Sequence, residues 1–307
     1  MLSVKELHLR AALIGAIRSF FSQRGFLEVD TPIRQPVLIP ESHIEPLSTE
    51  NWFLQTSPEL CMKRLLSSGC SSIFQICRCF RKEERGRRHL EEFTMLEWYR
   101  SGADYYELMA DCQQLLHHCL AEIGEQLGNL LPLAQSLFST DHSSPSHPWQ
   151  KITVNEAFDR WSDNSLREVL AKDTFEEVLV EKIEPNLGID GPVFLYEYPA
   201  CMASLAQKKK GNAEVAERFE LYAAGIELAN GYSELTDSSE QRLRFAAEIE
   251  AINKKSGRRT IMPEKFLADL NNLETCAGIA FGVDRLFMLL LGKDEIDDAV
   301  SFSPRDL

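Results

Sequence analysis

The chain has 307 residues, 44% of them hydrophobic, enough for one large core or a core with an insert. No apolar run approaches the roughly 18–20 residues of a membrane span, and the N-terminus lacks the basic-then-apolar pattern of a signal peptide, so a cytoplasmic protein with no membrane partner is expected. The formal net charge of −14 opposes general attraction to a polyanion, which lowers a nucleic-acid reading unless a local basic groove exists.

The first element is a helix opened by the capping box Ser3-Val4-Lys5-Glu6, with Leu13, Ala16, Ile17 and Phe20 at helical spacing and an end near Gly25. Phe26–Thr31 reads as a short extended piece ended by Pro32. Ser57-Pro58-Glu59 predicts a second helix, with Ser57 as N-cap and closure near Gly69. Two strands follow, Ile73–Glu83 and Glu92–Arg100, flanking an arginine-rich loop. Asp104 and Glu107 cap a long amphipathic helix that buries Leu108, Cys112, Leu115, Leu116, Cys119 and Ile123. Residues 139–150 form a polar loop punctuated by prolines.

Thr153 and Glu156 start the next helical stretch, followed by Phe175–Ile183 and a strand Val193–Tyr198. Phe219–Ala224 and Ile226–Ala229 read as a hairpin turning near Gly225, and Ser238 with Gln241 caps a helix through Asn253. A last strand, about Cys276–Val283, feeds a helix Asp284–Leu291. Strands mixed with long helices, without regular βαβ alternation, predict an α+β fold in a single unit spanning residues 1–307. Eight cysteines are scattered without a CxxC pair or zinc-ligand spacing, and most of them, among apolar neighbours, read as small buried thiols in a reducing cytoplasm.

Three segments carry chemistry. Strand periodicity places Gln75, Cys77, Cys79, Arg81 and Glu83 on one face, and Phe93, Met95, Glu97 and Tyr99 on one face of the next strand. Paired, these line a surface with a guanidinium, carboxylates and aromatic rings; a solvated strand with arginine–glutamate pairs is the plainer alternative. In Gly278-Ile-Ala280-Phe-Gly282-Val-Asp284-Arg285, an arginine in the first turn of a helix opposes the helix dipole unless an anion binds there. The alternative is Asp284 capping that helix while Arg285 points to water. In Glu227-Leu228-Ala-Asn230-Gly231-Tyr232-Ser-Glu234, two carboxylates seven residues apart, with an Asn-Gly turn between them, suit a divalent cation or an ammonium group, unless both face solvent.

In order and detail the three segments resemble the signature motifs of class II aminoacyl-tRNA synthetases, and of lysyl-tRNA synthetases in particular. Gly25–Pro32 looks like motif 1, Phe80–Glu97 like motif 2 and Gly278–Leu286 like motif 3. Thr56–Leu60, Glu92–Tyr99 and Glu227–Leu235 resemble the lysine-type active site. The resemblance implies an antiparallel sheet flanked by helices, a homodimer built on motif 1, and ATP-dependent formation of an aminoacyl adenylate with Mg2+.

Motif 1 begins almost at the start of the sequence, where lysyl-tRNA synthetases carry an anticodon-binding domain first. That arrangement, with Ala280 in place of a glycine, is similar to the elongation factor P lysine ligase family. It implies (R)-β-lysine or lysine as substrate, a lysine of elongation factor P as acceptor, and no tRNA. Two other readings remain open: a stand-alone enzyme charging tRNA or another carrier, and a catalytically silent paralogue.

By this resemblance Arg81 holds the α-phosphate and substrate carboxylate, and Arg285 the γ-phosphate. Phe93 stacks on adenine, while Lys82, Glu83, Leu228 and Gly282 complete the ATP contacts. Glu227 and Glu234 bind magnesium, with Glu234 also near the substrate amine; Ser57, Pro58, Glu59, Tyr99 and Ala280 complete the substrate pocket. Leu90 departs from an asparagine usual in the family, which weakens an ATP contact or rearranges the loop.

Overall fold

The computed structural model describes residues 1–138 and 149–307, so the loop expected at 139–150 lies outside the described residues except for its last two positions. α1 (Val4–Gln23) starts at the expected capping box, Ser3 accepting from the Glu6 N–H and Glu6 from the Ser3 N–H. There follow β1 (Leu27–Glu28), β2 (Arg34–Gln35), β3 (Ser48–Thr49), β4 (Trp52–Leu54) and α2 (Glu59–Ser67). β5 (Ser72–Phe80) and β6 (Glu92–Ser101) lead to α3 (Tyr105–Leu127) and α4 (Leu131–Phe138). The middle of the chain forms β7 (Gln150–Thr153), α5 (Val154–Trp161), α6 (Leu166–Ala171), α7 (Phe175–Val178) and β8 (Val193–Pro199). The last part forms β9 (Lys208–Lys209), β10 (Asn212–Ala223), β11 (Ile226–Ser233), α8 (Ser238–Ser256), α9 (Glu264–Leu270), β12 (Cys276–Gly282) and α10 (Val283–Leu290).

The nine-stranded sheet runs β1-β5-β6-β12-β11-β10-β8-β7, with β9 added to β10. It is antiparallel except where β1 joins β5 and β7 joins β8. α1, α3 and α10 cover one face, and Phe74, Leu96, Trp98, Ile279 and Phe281 point into the core beneath them. The buried stripe of α1 lies against α3 of the same chain, so its burial needs no second subunit. On the other side, α2, α8 and α9 cover only one end of the sheet, around Leu60, Met62, Tyr99, Phe245 and Phe266. The far end of that face is covered by α5, α6 and α7 around Phe158, Leu195 and Tyr222, and over the strip between them the loop joining β5 to β6 reaches across through Arg88 and His89.

Several expectations need correction. Ser57 does not cap α2; Pro58 holds that position, and its carbonyl accepts the Cys61 and Met62 N–H groups. The first motif strand stops at Phe80, and Glu83 has left-handed backbone (φ 66°), so the period-2 argument does not extend to it. Asn230-Gly231 is no turn but the middle of β11, and the hairpin turns at Ala224-Gly225. Asp237, not Ser238, caps α8. Phe175–Ile183 splits into α7 and a π-helical turn over Leu179–Ile183.

Candidate active site

Strand register builds the site. Gln75 on β5 lies opposite Glu97 on β6, which faces Ala280 on β12, then Asn230 on β11, then Glu220 on β10. The neighbouring row runs Tyr99, Gly278, Tyr232, Arg218. Directly opposed residues share a face, so both rows point away from the α1–α3 core. Glu227 joins them because of a bulge: Leu221 pairs with Ala229 and Tyr222 with Glu227, leaving Leu228 as the extra residue. Without it, alternation would turn Glu227 into the core.

At the covered end, α2 contributes Glu59 and Lys63, one helical turn apart. Lys63 is 1% exposed and lies 2.5 Å from Glu59 Oε1; it also pairs with Glu234. The Tyr232 hydroxyl lies 3.1 Å from each Glu59 oxygen. Tyr99 donates to Glu97 Oε1 at 2.5 Å, while Glu97 Oε2 is buried without a hydrogen-bond partner among the described residues. Gln75 Oε1, opposite it, is buried and unpartnered as well. Gly278 is the floor: a Cβ there would lie 2.2 Å from Tyr99 Cε1 and 2.3 Å from Glu234 Oε1.

This pocket holds three carboxylates and one internal cation. Burial pushes the Glu97 carboxyl well up, and nearby Glu59 adds to it. Burial likewise raises Glu234, to about 8, against the pull of Lys63. For Lys63, burial works downward, but Glu234 and Glu59 outweigh it and keep the ammonium charged. A surplus of buried carboxylate with an unpaired oxygen is the surrounding that a cationic amine stabilises.

At the open end the chemistry is reversed. Arg285 does not point to water: it donates to the Glu227 carboxylate at 3.0 Å, the Glu227 carbonyl at 2.8 Å and His89 Nε2 at 2.5 Å. Burial first, then the Arg285 charge, pushes His89 down, so its ring is neutral and accepts. Burial would raise Glu227, but the charge and hydrogen bond of Arg285 bring it below its ordinary value. Asp284 is no cap; it accepts from the Thr94 N–H and from partly buried Arg10 at 2.5 Å, tying α10 to β6 and α1. Arg81 lies over the Phe93 ring, 5.2 Å from its centroid, and reaches the Thr56 carbonyl.

The other expected residues distribute unevenly. Ser57 and Pro58 sit where β4 enters α2, beside Glu59. Leu228 buries its side chain in the core, leaving backbone to face the site, and Gly282 lies beside its carbonyl. Lys82 and Glu83 are exposed and pair with each other at 3.1 Å. Leu90 is buried in the main core, so packing seats this loop where the resembling family has an asparagine.

Glu227 and Glu234 do not converge on one ion. They lie at opposite ends of β11, roughly 20 Å apart along the strand, and Glu234 is taken by Lys63. Magnesium needs its ligands within roughly 2 Å of the metal. Glu227 instead neighbours Glu220, whose carboxylate is oriented by Arg218 at 2.7 Å and the Tyr222 hydroxyl at 2.7 Å. Two carboxylates on one face, one half-exposed, fit an ion that takes most of its ligands from phosphate and water. Among the described residues no three histidine, cysteine, aspartate or glutamate side chains form a metal-binding group.

Glu220 and Lys63 were missed in the sequence, though each left a signal. Glu220 sits in the alternating run Glu-Arg-Phe-Glu-Leu-Tyr before the Gly225 turn, and Lys63 is four residues after Glu59 on a helix.

Residues 3–306 match the family model described as tRNA synthetases class II (D, K and N). The chain is similar to the elongation factor P–(R)-β-lysine ligases of Pectobacterium atrosepticum and Salmonella typhi, 40% and 39% identical, in each case over 98% of this chain and 95% of the relative. The ligase of Klebsiella pneumoniae is 40% identical over 96% of this chain and 93% of its own. The chain belongs to the class II tRNA synthetases (D, K and N) and, within them, to the family of these ligases.

Proposed function

We propose that the chain activates (R)-β-lysine or lysine with ATP and passes the acyl group to a lysine side chain of elongation factor P. The observation that carries this reading is the pairing, on one sheet face, of a buried carboxylate pocket with an arginine-lined surface. The pocket seats the amine end of the amino acid, and Arg81 holds its carboxylate against the α-phosphate. The carboxylate oxygen attacks the α-phosphorus and pyrophosphate leaves; the acceptor amine then attacks the acyl carbon and AMP leaves. Such chemistry needs alignment and charge neutralisation more than covalent help from the protein.

Arg285 receives the γ-phosphate, and the edge of Phe93 not covered by Arg81 borders the adenine. Glu220 and Glu227 hold magnesium, which when bound neutralises phosphate charge. Exchange of the Glu227 contact for phosphate frees Arg285 to follow the nucleotide.

The acceptor assignment draws on the names of the relatives and on the basic side chains. A nucleic-acid acceptor requires free cations for its backbone. Here Arg85 is bidentate on Asp297, at 2.7 and 2.9 Å, and Arg88 donates to the Gly225 carbonyl at 2.7 Å. Lys208 pairs with Glu240, and Lys209 with Glu197. A protein acceptor makes no such demand. The test offers equal amounts of elongation factor P and tRNA to enzyme, ATP and labelled (R)-β-lysine; label mainly on tRNA overturns the reading.

We further propose a homodimer. Leu27, Ile33 and Trp52, on and beside the expected motif 1, are exposed large apolar side chains. Sedimentation at micromolar concentration gives twice the chain mass if this holds, and a monomer if it does not.

A further inference from the structure

The loop between β2 and β3, residues 36–47, carries Glu41, which makes no hydrogen bond or ion pair among the described residues. Its neighbours are anchored on both sides. Ile39 is buried with Leu60, Met62 and Tyr99. The Ser42 N–H donates to Glu248 of α8 at 2.7 Å, and Lys255 donates to the Ser42 carbonyl at 3.3 Å. Three residues on, the Glu45 carbonyl accepts the Lys82 N–H at 2.7 Å. The backbone at residue 41 is thereby fixed between α2, α8 and the start of the β5–β6 loop.

The Glu41 carboxyl is partly buried within electrostatic reach of Glu59 and Lys63 of α2, Arg81 after β5, and Glu248 of α8. The anchored loop thus holds residue 41 beside the start of α2, which carries Glu59, and beside the turn after β5, which carries Arg81. The pocket beneath is already rich in carboxylate, and Glu97 Oε2 within it has no partner. Placing a further anion beside Glu59 with no cation bonded to it is unfavourable unless a ligand supplies one.

Resting on the lysine-activating reading above, we infer that Glu41 binds the ammonium group nearer the substrate carboxylate. That amine is the one whose position distinguishes α- from β-lysine. The buried carboxylates below hold the ammonium at the far end, so the two amines of one substrate have separate receptors.

The electrostatics agree. Burial, then Glu59, pushes Glu41 up to about 7, against Arg81 and Lys63. Only the carboxylate form receives an ammonium. Hence Glu41 adds an acid limb below about pH 7 to kcat/KM for lysine, which reports the free enzyme, beside any limb that Glu234, raised to about 8, contributes.

The test compares Glu41→Gln and Glu41→Asp with the unmodified protein in ATP–pyrophosphate exchange. The substrates are lysine and both β-lysine enantiomers, with 6-aminohexanoate as competing ligand because it keeps the carboxylate and far amine but lacks the near one. Glu41→Gln should raise KM for the active lysine isomers by about 10- to 100-fold with kcat little changed. It should leave the inhibition constant of 6-aminohexanoate unchanged and remove the acid limb near pH 7. Glu41→Asp, which keeps the charge, should fall between. Unchanged lysine KM in Glu41→Gln, or equal weakening of lysine and 6-aminohexanoate, overturns the assignment. If the unmodified protein exchanges with none of the lysine isomers, the lysine-activating reading itself fails, and this one with it.

Discussion

The two ends of the site are cut from the same five strands and solve opposite problems. At the open end, Arg81, Arg285 and His89 surround half-exposed Glu227, and the arginines hold carbonyls and carboxylates that phosphate oxygens can replace. At the covered end, Glu59 of α2 meets Glu97 and Glu234 of the sheet, all at most 8% exposed, with one lysine among them. The difference is made by what lies above the sheet. α2, α8 and α9 exclude water from one end, where charge–charge energies are large, while at the other the Glu227 side chain keeps 32% of its surface exposed. One end is therefore a receptor for anions with exchangeable partners, and the other a fixed receptor for cations.

The comparison breaks most visibly at Arg285. Arg285→Ala removes the cation that holds Glu227 and, on the proposed mechanism, the γ-phosphate. Loss of such a charge-stabilising donor costs about 3–4 kcal/mol in the barrier, or 10²–10³ in rate. Pyrophosphate exchange should fall to near background with the fold intact by circular dichroism, and Arg81→Ala should behave alike. Near-normal exchange in either would show that the open end does not carry the nucleotide.

Lys63→Met tests the covered end. It leaves Glu59 and Glu234 buried face to face, and breaking a buried pair by removing one partner costs about 3–5 kcal/mol. The pH dependence has a definite sign. In the variant the Glu234 carboxyl, already raised to about 8 by burial, loses the pull of Lys63 and rises further above its unfolded value, so the folded state binds more protons than the unfolded one between the two. Stability should then be greatest near pH 5 and fall as pH rises through 8. Denaturant midpoints at pH 5.5 and 8 check this; a variant equally stable at both would mean that its folded carboxyls bind no more protons than the unfolded ones, so that Lys63 is not balancing buried charge.

The frame of the molecule was largely legible because helix caps and periodicity are local. The Ser3, Asp104 and Thr153 capping boxes and the buried stripe of α3 all stand where the sequence places them. The site was legible only in part, because its geometry is set by register between distant strands. The bulge at Leu228 has no local signature, yet it decides which way Glu227 points and hence that its neighbour is Glu220, not Glu234. Asn-Gly reads as a turn from propensity, but Gly231 is there because a Cβ would come within 2.8 Å of Phe219 on the adjacent strand. Glu41 lies in a loop with no motif; only the anchoring of Ile39 and Ser42 gives it a place.

The smallest expected effect lies at Ala280, and it sharpens the comparison within the covered end. Two residues before it on β12, Gly278 admits no side chain at all, since its Cβ would overlap Tyr99 and Glu234. At Ala280 a methyl is accommodated between Glu97 and Asn230, on the same face and next to the carboxylate whose Oε2 is unpartnered. The pocket therefore widens from Gly278 towards the open end, and the methyl limits where an amine or chain carbon rests there. Ala280→Gly removes that limit without adding or deleting a charge. A single methyl in such a pocket is worth about 1–3 kcal/mol of discrimination. The ratio of kcat/KM for (R)-β-lysine over lysine should shift accordingly, while KM for ATP stays unchanged, because the arginines and Glu227 lie beyond the methyl. If both isomers lose activity equally, the methyl only packs the strand, and the choice between isomers is made elsewhere in the pocket, with Glu41 the first position to examine.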